Sequence, residues 1–140
     1  MTVYTFLTDQ AHTGYLNLKV VFTAKSENIS IQLPRWRPGR YELGNFAKNV
    51  RGFKVFDENG KKVSFLKTSK DTWLLTNVAG ATLTVQYSYY AELLNAGSTC
   101  IKPDLLYVNP VNCCVYPVGQ EQDICQVVLD VPNDWQVAGS

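Results

Sequence analysis

The chain contains one histidine and no two cysteines spaced C-x-x-C. A two-histidine zinc motif is therefore impossible within it, and a Ser-His-Asp or Cys-His catalytic group would have to be assembled around His12. That residue sits in a polar stretch, Asp9-Gln10-Ala11-His12-Thr13-Gly14, with no nucleophile elbow or cysteine-protease signature beside it. It reads as a turn histidine that hydrogen-bonds locally. Glycine-rich phosphate loops are missing too, since Gly39 and Gly44 sit in no strand-to-helix phosphate-binding pattern. No apolar run approaches the ~18 residues of a membrane span. The opening Met1-Thr2-Val3-Tyr4-Thr5-Phe6-Leu7-Thr8-Asp9 has neither the basic nor the apolar region of a signal peptide, which inclines the expected location toward the cytoplasm.

Charge of one sign is also missing. The formal net charge is +1, which gives no basis for counterion-driven binding to nucleic acid. The balance is uneven along the chain: residues 1–70 carry 12 basic and 5 acidic side chains, residues 71–140 carry 1 and 7. In one packed domain these halves interleave and neutralise each other. The densest basic run is Arg35, Arg37, Arg40, Lys48, Arg51 and Lys54, and a surface that recognises an acidic group would be built there. Carboxylates are plentiful, but sequence alone pairs none of them for acid–base work.

What is present is β-type patterning. The chain of 140 residues is 46% hydrophobic and 18% charged, long enough for one domain with a core that needs no disulfide or metal. Leu16, Leu18, Val20, Phe22 and Ala24 alternate with polar positions, and Ile29, Ile31 and Leu33 resume the alternation, suggesting a hairpin whose second strand ends at Pro34. Phe53 to Phe56 reads as strand. Asn59-Gly60 offers the two positive φ values of a type I′ turn, after which Val63 to Leu66 returns. Thr72 to Val78 and Thr82 to Ala91 follow, the second with Leu83, Val85, Tyr87, Tyr89 and Ala91 on one face. Between Glu92 and Gln122 only Leu105 to Val108 and Cys113 to Tyr116 look extended, and Cys125, Val127, Leu129 and Val131 restore the alternation. Short strands with turn chemistry every eight to twelve residues predict an all-β fold, an antiparallel β-sandwich, with a closed Greek-key barrel as the alternative.

Cys100, Cys113, Cys114 and Cys125 read as free thiols, and an oxidising compartment would allow Cys100 to bridge any of the other three. Trp36, Trp73 and Trp135, with Tyr87, Tyr89 and Tyr90, have the composition of a carbohydrate-stacking platform, although such residues are more often core and rim of a sandwich. A second candidate surface is the irregular stretch Asn109-Pro110-Val111-Asn112-Cys113-Cys114.

One stretch departs from this patterning. In Leu33-Pro34-Arg35-Trp36-Arg37-Pro38-Gly39-Arg40-Tyr41 two prolines stiffen the backbone, and Pro38-Gly39 suits a type II turn. Leu43, Phe46, Ala47 and Val50 then fall at helical spacing, predicting one short helix after the Pro-Gly turn.

The string Pro34-x-Trp36-x-Pro38-Gly39-x-Tyr41, followed by Asn45-Phe46-Ala47-x-Asn49-Val50, resembles a segment near the N-terminus of the glycyl-aminopeptidase family of zinc metallopeptidases. His12 before the first long strand, Lys70-x-x-Trp73, Val85-x-Tyr87-x-Tyr89 and Val131-Pro132-x-x-Trp135 are similar to that family's N-terminal domain as well. The resemblance implies that residues 1–140 form a single N-terminal β-sandwich domain. A thermolysin-like catalytic domain with an H-E-x-x-H helix, and a C-terminal PDZ domain, would then lie outside this chain. It implies no catalytic or metal residue here, no cofactor in this chain, and zinc in the catalytic domain. Its implied partners are that catalytic domain in the same polypeptide and, indirectly, a peptide substrate. Trp36, Arg37, Arg40 and Tyr41 become candidates for the interdomain or substrate-cleft surface, with Pro34, Pro38 and Gly39 shaping the turn. The competing expectation is a free-standing module that binds peptide or carbohydrate.

Overall fold

Alternation at a period of two gives most strands one apolar face. In the computed structural model, which describes residues 1–34, 46–91 and 99–139, those faces are turned toward each other from two sheets. The strands are β1 (Thr2–Leu7), β2 (Tyr15–Thr23), β3 (Ile29–Gln32), β4 (Val50–Phe56), β5 (Lys62–Val63), β6 (Leu66–Ser69), β7 (Thr72–Leu75), β8 (Thr82–Tyr90), β9 (Cys100–Lys102), β10 (Leu105–Tyr107), β11 (Tyr116–Pro117) and β12 (Cys125–Asp130). An α-helical turn, α1, covers Pro110–Cys113. One sheet has the order β12-β1-β2-β8-β4-β5, the other β11-β3-β7-β6, and β9 pairs with β10. Among the described residues every pairing is antiparallel except β1 with β12. The expected antiparallel sandwich is the fold, and the two sheets stay separate rather than closing into a barrel.

Buried side chains from both layers fill the space between them. Leu16, Leu18, Val20, Phe22, Leu83, Val85 and Tyr87 point inward from the first sheet, and Ile29, Ile31, Leu33, Trp73 and Leu75 from the second. A bulge between Arg51 and Lys54 adds an aromatic bridge, because Gly52 adopts φ 68° and Phe53 turns inward. The Phe53 ring stacks on Trp73 at 4.2 Å and lies 6.0 Å from Tyr87, joining the layers.

Several local expectations change. β2 and β3 are not a hairpin: the segment after Thr23 crosses between the sheets, and β3 pairs with β7 and β11. Alternation records which face of a strand is apolar but not which strand it pairs with. The Asn59-Gly60 turn is not type I′, since only Gly60 is left-handed (φ 78°). The Asp57 carboxylate instead accepts the amides of Asn59 and Lys61, both at 2.9 Å, which shapes the turn from outside it. Val63 and Leu66 belong to different sheets. Cys113 closes α1 rather than opening a strand, and Thr2–Leu7, which carried no strand expectation, pairs on both sides. The described part of the expected short helix is a 3-10 turn over Phe46–Asn49, after which Val50 begins β4.

Gly52→Ala adds a Cβ that meets nothing within 4 Å, so its effect isolates the strain of a positive φ. It is expected to lower stability by about 1–2 kcal/mol in urea unfolding.

Candidate functional site

Trp36, Arg37, Pro38, Gly39, Arg40 and Tyr41 lie outside the described residues, whereas the chain on either side is described. On one side Leu33 is fully buried and its amide donates to the Asp71 carbonyl at 2.9 Å, with Pro34 half-buried beside it. On the other, Asn49 donates from its side chain to the Tyr89 hydroxyl at 3.3 Å, and Val50 pairs with Tyr89. The two flanks are therefore anchored on opposite sheets. Within the basic run, Lys48 is exposed, Arg51 lies 3.5 Å over the Tyr15 ring, and Lys54 pairs in register with Gln86. Lys54, Lys19, Asn17, Gln86 and Ser88 line a polar hollow of about 380 Å³ on the outer sheet face.

The Asn109–Cys114 stretch is a plug rather than a solvent-facing loop. Asn112, Cys113 and Cys114 are buried, because the backbone polar groups there find partners inside the core. Tyr87 donates its hydroxyl to the Cys113 carbonyl and accepts from the Val115 amide at 3.1 Å. Tyr4 donates to the Val115 carbonyl at 2.8 Å. Thr99 completes the arrangement, accepting from the Asn109 amide at 3.0 Å and reaching the Asn112 side-chain oxygen at 3.3 Å. Trp73, Tyr87 and Tyr89 are thus core residues, which removes them from any exposed aromatic platform. His12 is exposed in a 3-10 turn over Ala11–Thr13 that Gly14 ends.

A groove of about 580 Å³ opens where the second sheet stops short of β12. Phe6, Leu106, Val127, Leu129, Trp135 and Val137 are among the side chains that line it. β12 continues the inward face of β1, but nothing among the described residues covers it, so Val127 remains 57% exposed. Its alternation suggested half-burial, and the missing layer is the reason it is not. The lining holds no side chain that titrates near neutrality, so the groove offers contact area rather than acid–base chemistry.

A sequence profile of the peptidase M61 N-terminal domain matches residues 3–140. The chain belongs to that family. The resemblance to the N-terminal domain of a zinc metallopeptidase family, read from the Pro34 to Val50 string, is borne out by this match. Among solved structures, an aminopeptidase N family protein from Idiomarina loihiensis superposes with a TM-score of 0.87 at 25% identity, over 95% of this chain and 22% of that one. An M1 zinc metallopeptidase from Deinococcus radiodurans, crystallised as a mutant with a Tyr-Ser-Ala substrate, gives a TM-score of 0.38 at 14% identity, over 72% of this chain and 23% of that one, too low to support any argument. The chain thus spans less than a quarter of the length of either structure. No curated protein sequence matches it.

Burial pushes the Tyr4 and Tyr87 phenols well above their usual range and Tyr89 up to about 12, although the Asn49 hydrogen bond restrains the last. A raised folded value means that the stabilisation is complete below the unfolded value near 10 and fades as pH rises through the folded one. Titration at 295 nm should therefore show these phenols ionising only as the fold opens, in a single step with loss of the β signal in circular dichroism. Tyr87→Phe strands the Val115 amide and is expected to lower stability by about 1–3 kcal/mol at neutral pH.

Proposed function

We propose that this chain is the non-catalytic N-terminal β-domain of a zinc-dependent aminopeptidase, spanning residues 1–140, which packs on the catalytic domain of the same polypeptide and helps shape its substrate cleft. The match of residues 3–140 to the peptidase M61 N-terminal domain carries this reading. Among the described residues no three His, Cys, Asp or Glu side chains are grouped to hold a metal ion. The reading assigns zinc to the catalytic domain, and a C-terminal PDZ domain belongs to the same reading. Trp36, Arg37, Arg40 and Tyr41 are the proposed contacts, because Arg37 and Arg40 have no evident role in an apolar core and a stiff proline turn suits pre-organised contact groups.

In the full-length enzyme, Arg37→Ala with Arg40→Ala is expected to lower kcat/KM on the order of tenfold through misplacement of the cleft wall, with the melting temperature unchanged. Unchanged kinetics would remove these residues from the cleft. The 140-residue chain alone, supplied with zinc, is expected to hydrolyse no aminoacyl or peptide substrate, and robust turnover would overturn the non-catalytic assignment. A reading frame that runs on into H-E-x-x-H supports the peptidase parent, whereas one that ends at Ser140 favours the free-standing binding module.

A further inference from the structure

β12 stands at the end of its sheet and pairs on one side alone, with β1. Exposed edge strands are commonly protected by lysine, proline or a bulge, and Cys125–Asp130 carries none of the three. Its inward face is equally open. Val127 and Leu129 stand opposite Tyr4 and Phe6 of β1 and so share their face. Tyr4 and Phe6 are buried, yet Val127 and Leu129 remain 57% and 39% exposed. The groove over them has no charged side chain among its lining residues. An uncharged, continuous apolar surface of this kind has the composition of an interface core rather than of a solvated face.

The opposite wall comes from the last described residues. After β12 the Trp135 amide donates to the Pro132 carbonyl at 3.1 Å, closing a turn. Trp135 to Gly139 then lie along the groove, with Val137 66% exposed. Whatever follows Gly139 therefore starts at the rim of the groove. The aminopeptidase N family structure that this fold matches is much longer, since the chain covers 22% of it. A domain joined at this point meets the groove at an effective concentration on the order of millimolar, ahead of any free partner or second copy.

We propose that the β12 groove is the docking seat of the domain that follows residue 140 in the same polypeptide, which lays an apolar face over Val127, Leu129 and Val137. The inference rests on the reading of this chain as the N-terminal domain of a peptidase, in which that next domain is the catalytic one. It names a contact separate from the Trp36 to Tyr41 turn. Docking supplies the layer that β12 lacks, so the strand and the interface stabilise each other.

The test uses the full-length polypeptide with the photo-cross-linker benzoylphenylalanine in place of Val127 or, separately, Val137, both exposed enough here to be replaced without disturbing the core. Irradiation is expected to link each position, within one polypeptide, to the domain directly after residue 140, as mapped by peptide mass spectrometry. Links confined to residues 1–139, links to a later domain, or a covalent dimer on a denaturing gel would overturn the docking, as would a reading frame that ends at Ser140.

A pair of single substitutions separates docking from strand stability. Val127→Asp puts a charge in the groove, whereas Val128→Asp puts the same charge on the opposite face of β12. Proteinase K should separate the two domains of Val127→Asp at least about tenfold faster than those of wild type or Val128→Asp. Equal rates for all three, or equal acceleration in both variants, would sink the interface. Peptidase activity of the same wild-type preparation keeps the two readings apart. An active enzyme with no link loses the docking and keeps the peptidase assignment, and a linked polypeptide that hydrolyses no peptide does the reverse.

Discussion

Two phenol hydroxyls decide whether this sandwich can close. Between Thr99 and Asp123 the chain has little regular structure, yet Cys113 to Val115 runs through the interior, where an unpaired amide or carbonyl is costly. Tyr4 from β1 and Tyr87 from β8 supply the missing partners across the gap. An irregular segment can therefore serve as part of the second layer without a sheet ladder of its own. Among the described residues no buried side-chain nitrogen or oxygen is left without a partner.

The aromatic stack solves a different problem with the same economy. β4 lies near the edge of the first sheet, and a regular strand there would leave the space above Trp73 open. The bulge at Gly52 reorients one side chain, Phe53, so that its ring fills that space between Trp73 and Tyr87. Phe65 meets Phe53 edge-on at 5.1 Å and closes the column toward solvent. The outer face of the same sheet remains polar, with Lys19, Gln86 and Lys54 in one row across it.

The inward residues of β2 and β8 were legible because period-two alternation over nine residues has one reading. The fold class followed from them. Pairing partners were not legible: Ile29 and Ile31 alternate as a return strand would, but the choice of sheet depends on distant residues in β7. Burial of β12 failed for a related reason, since alternation records which face is apolar and not whether a layer covers it. The plug at Cys113 was hidden because its partners, Tyr4 and Tyr87, are 111 and 26 residues away. For the site, the Pro34 to Val50 string carried the family, while the groove beside Trp135 exists only once β1 and β12 are side by side.

That pairing has a mechanical side. β1 and β12 run in the same direction, so a tension that draws the start of β1 away from the end of β12 acts along the strands. The hydrogen bonds from the Thr2–Cys125 pair to the Leu7–Asp130 pair then share the load as a ladder in shear, rather than parting one after another as in an unzipping hairpin. Force transmitted between the two ends of the sheet would meet its resistance at this edge, where the fold is otherwise most thinly covered.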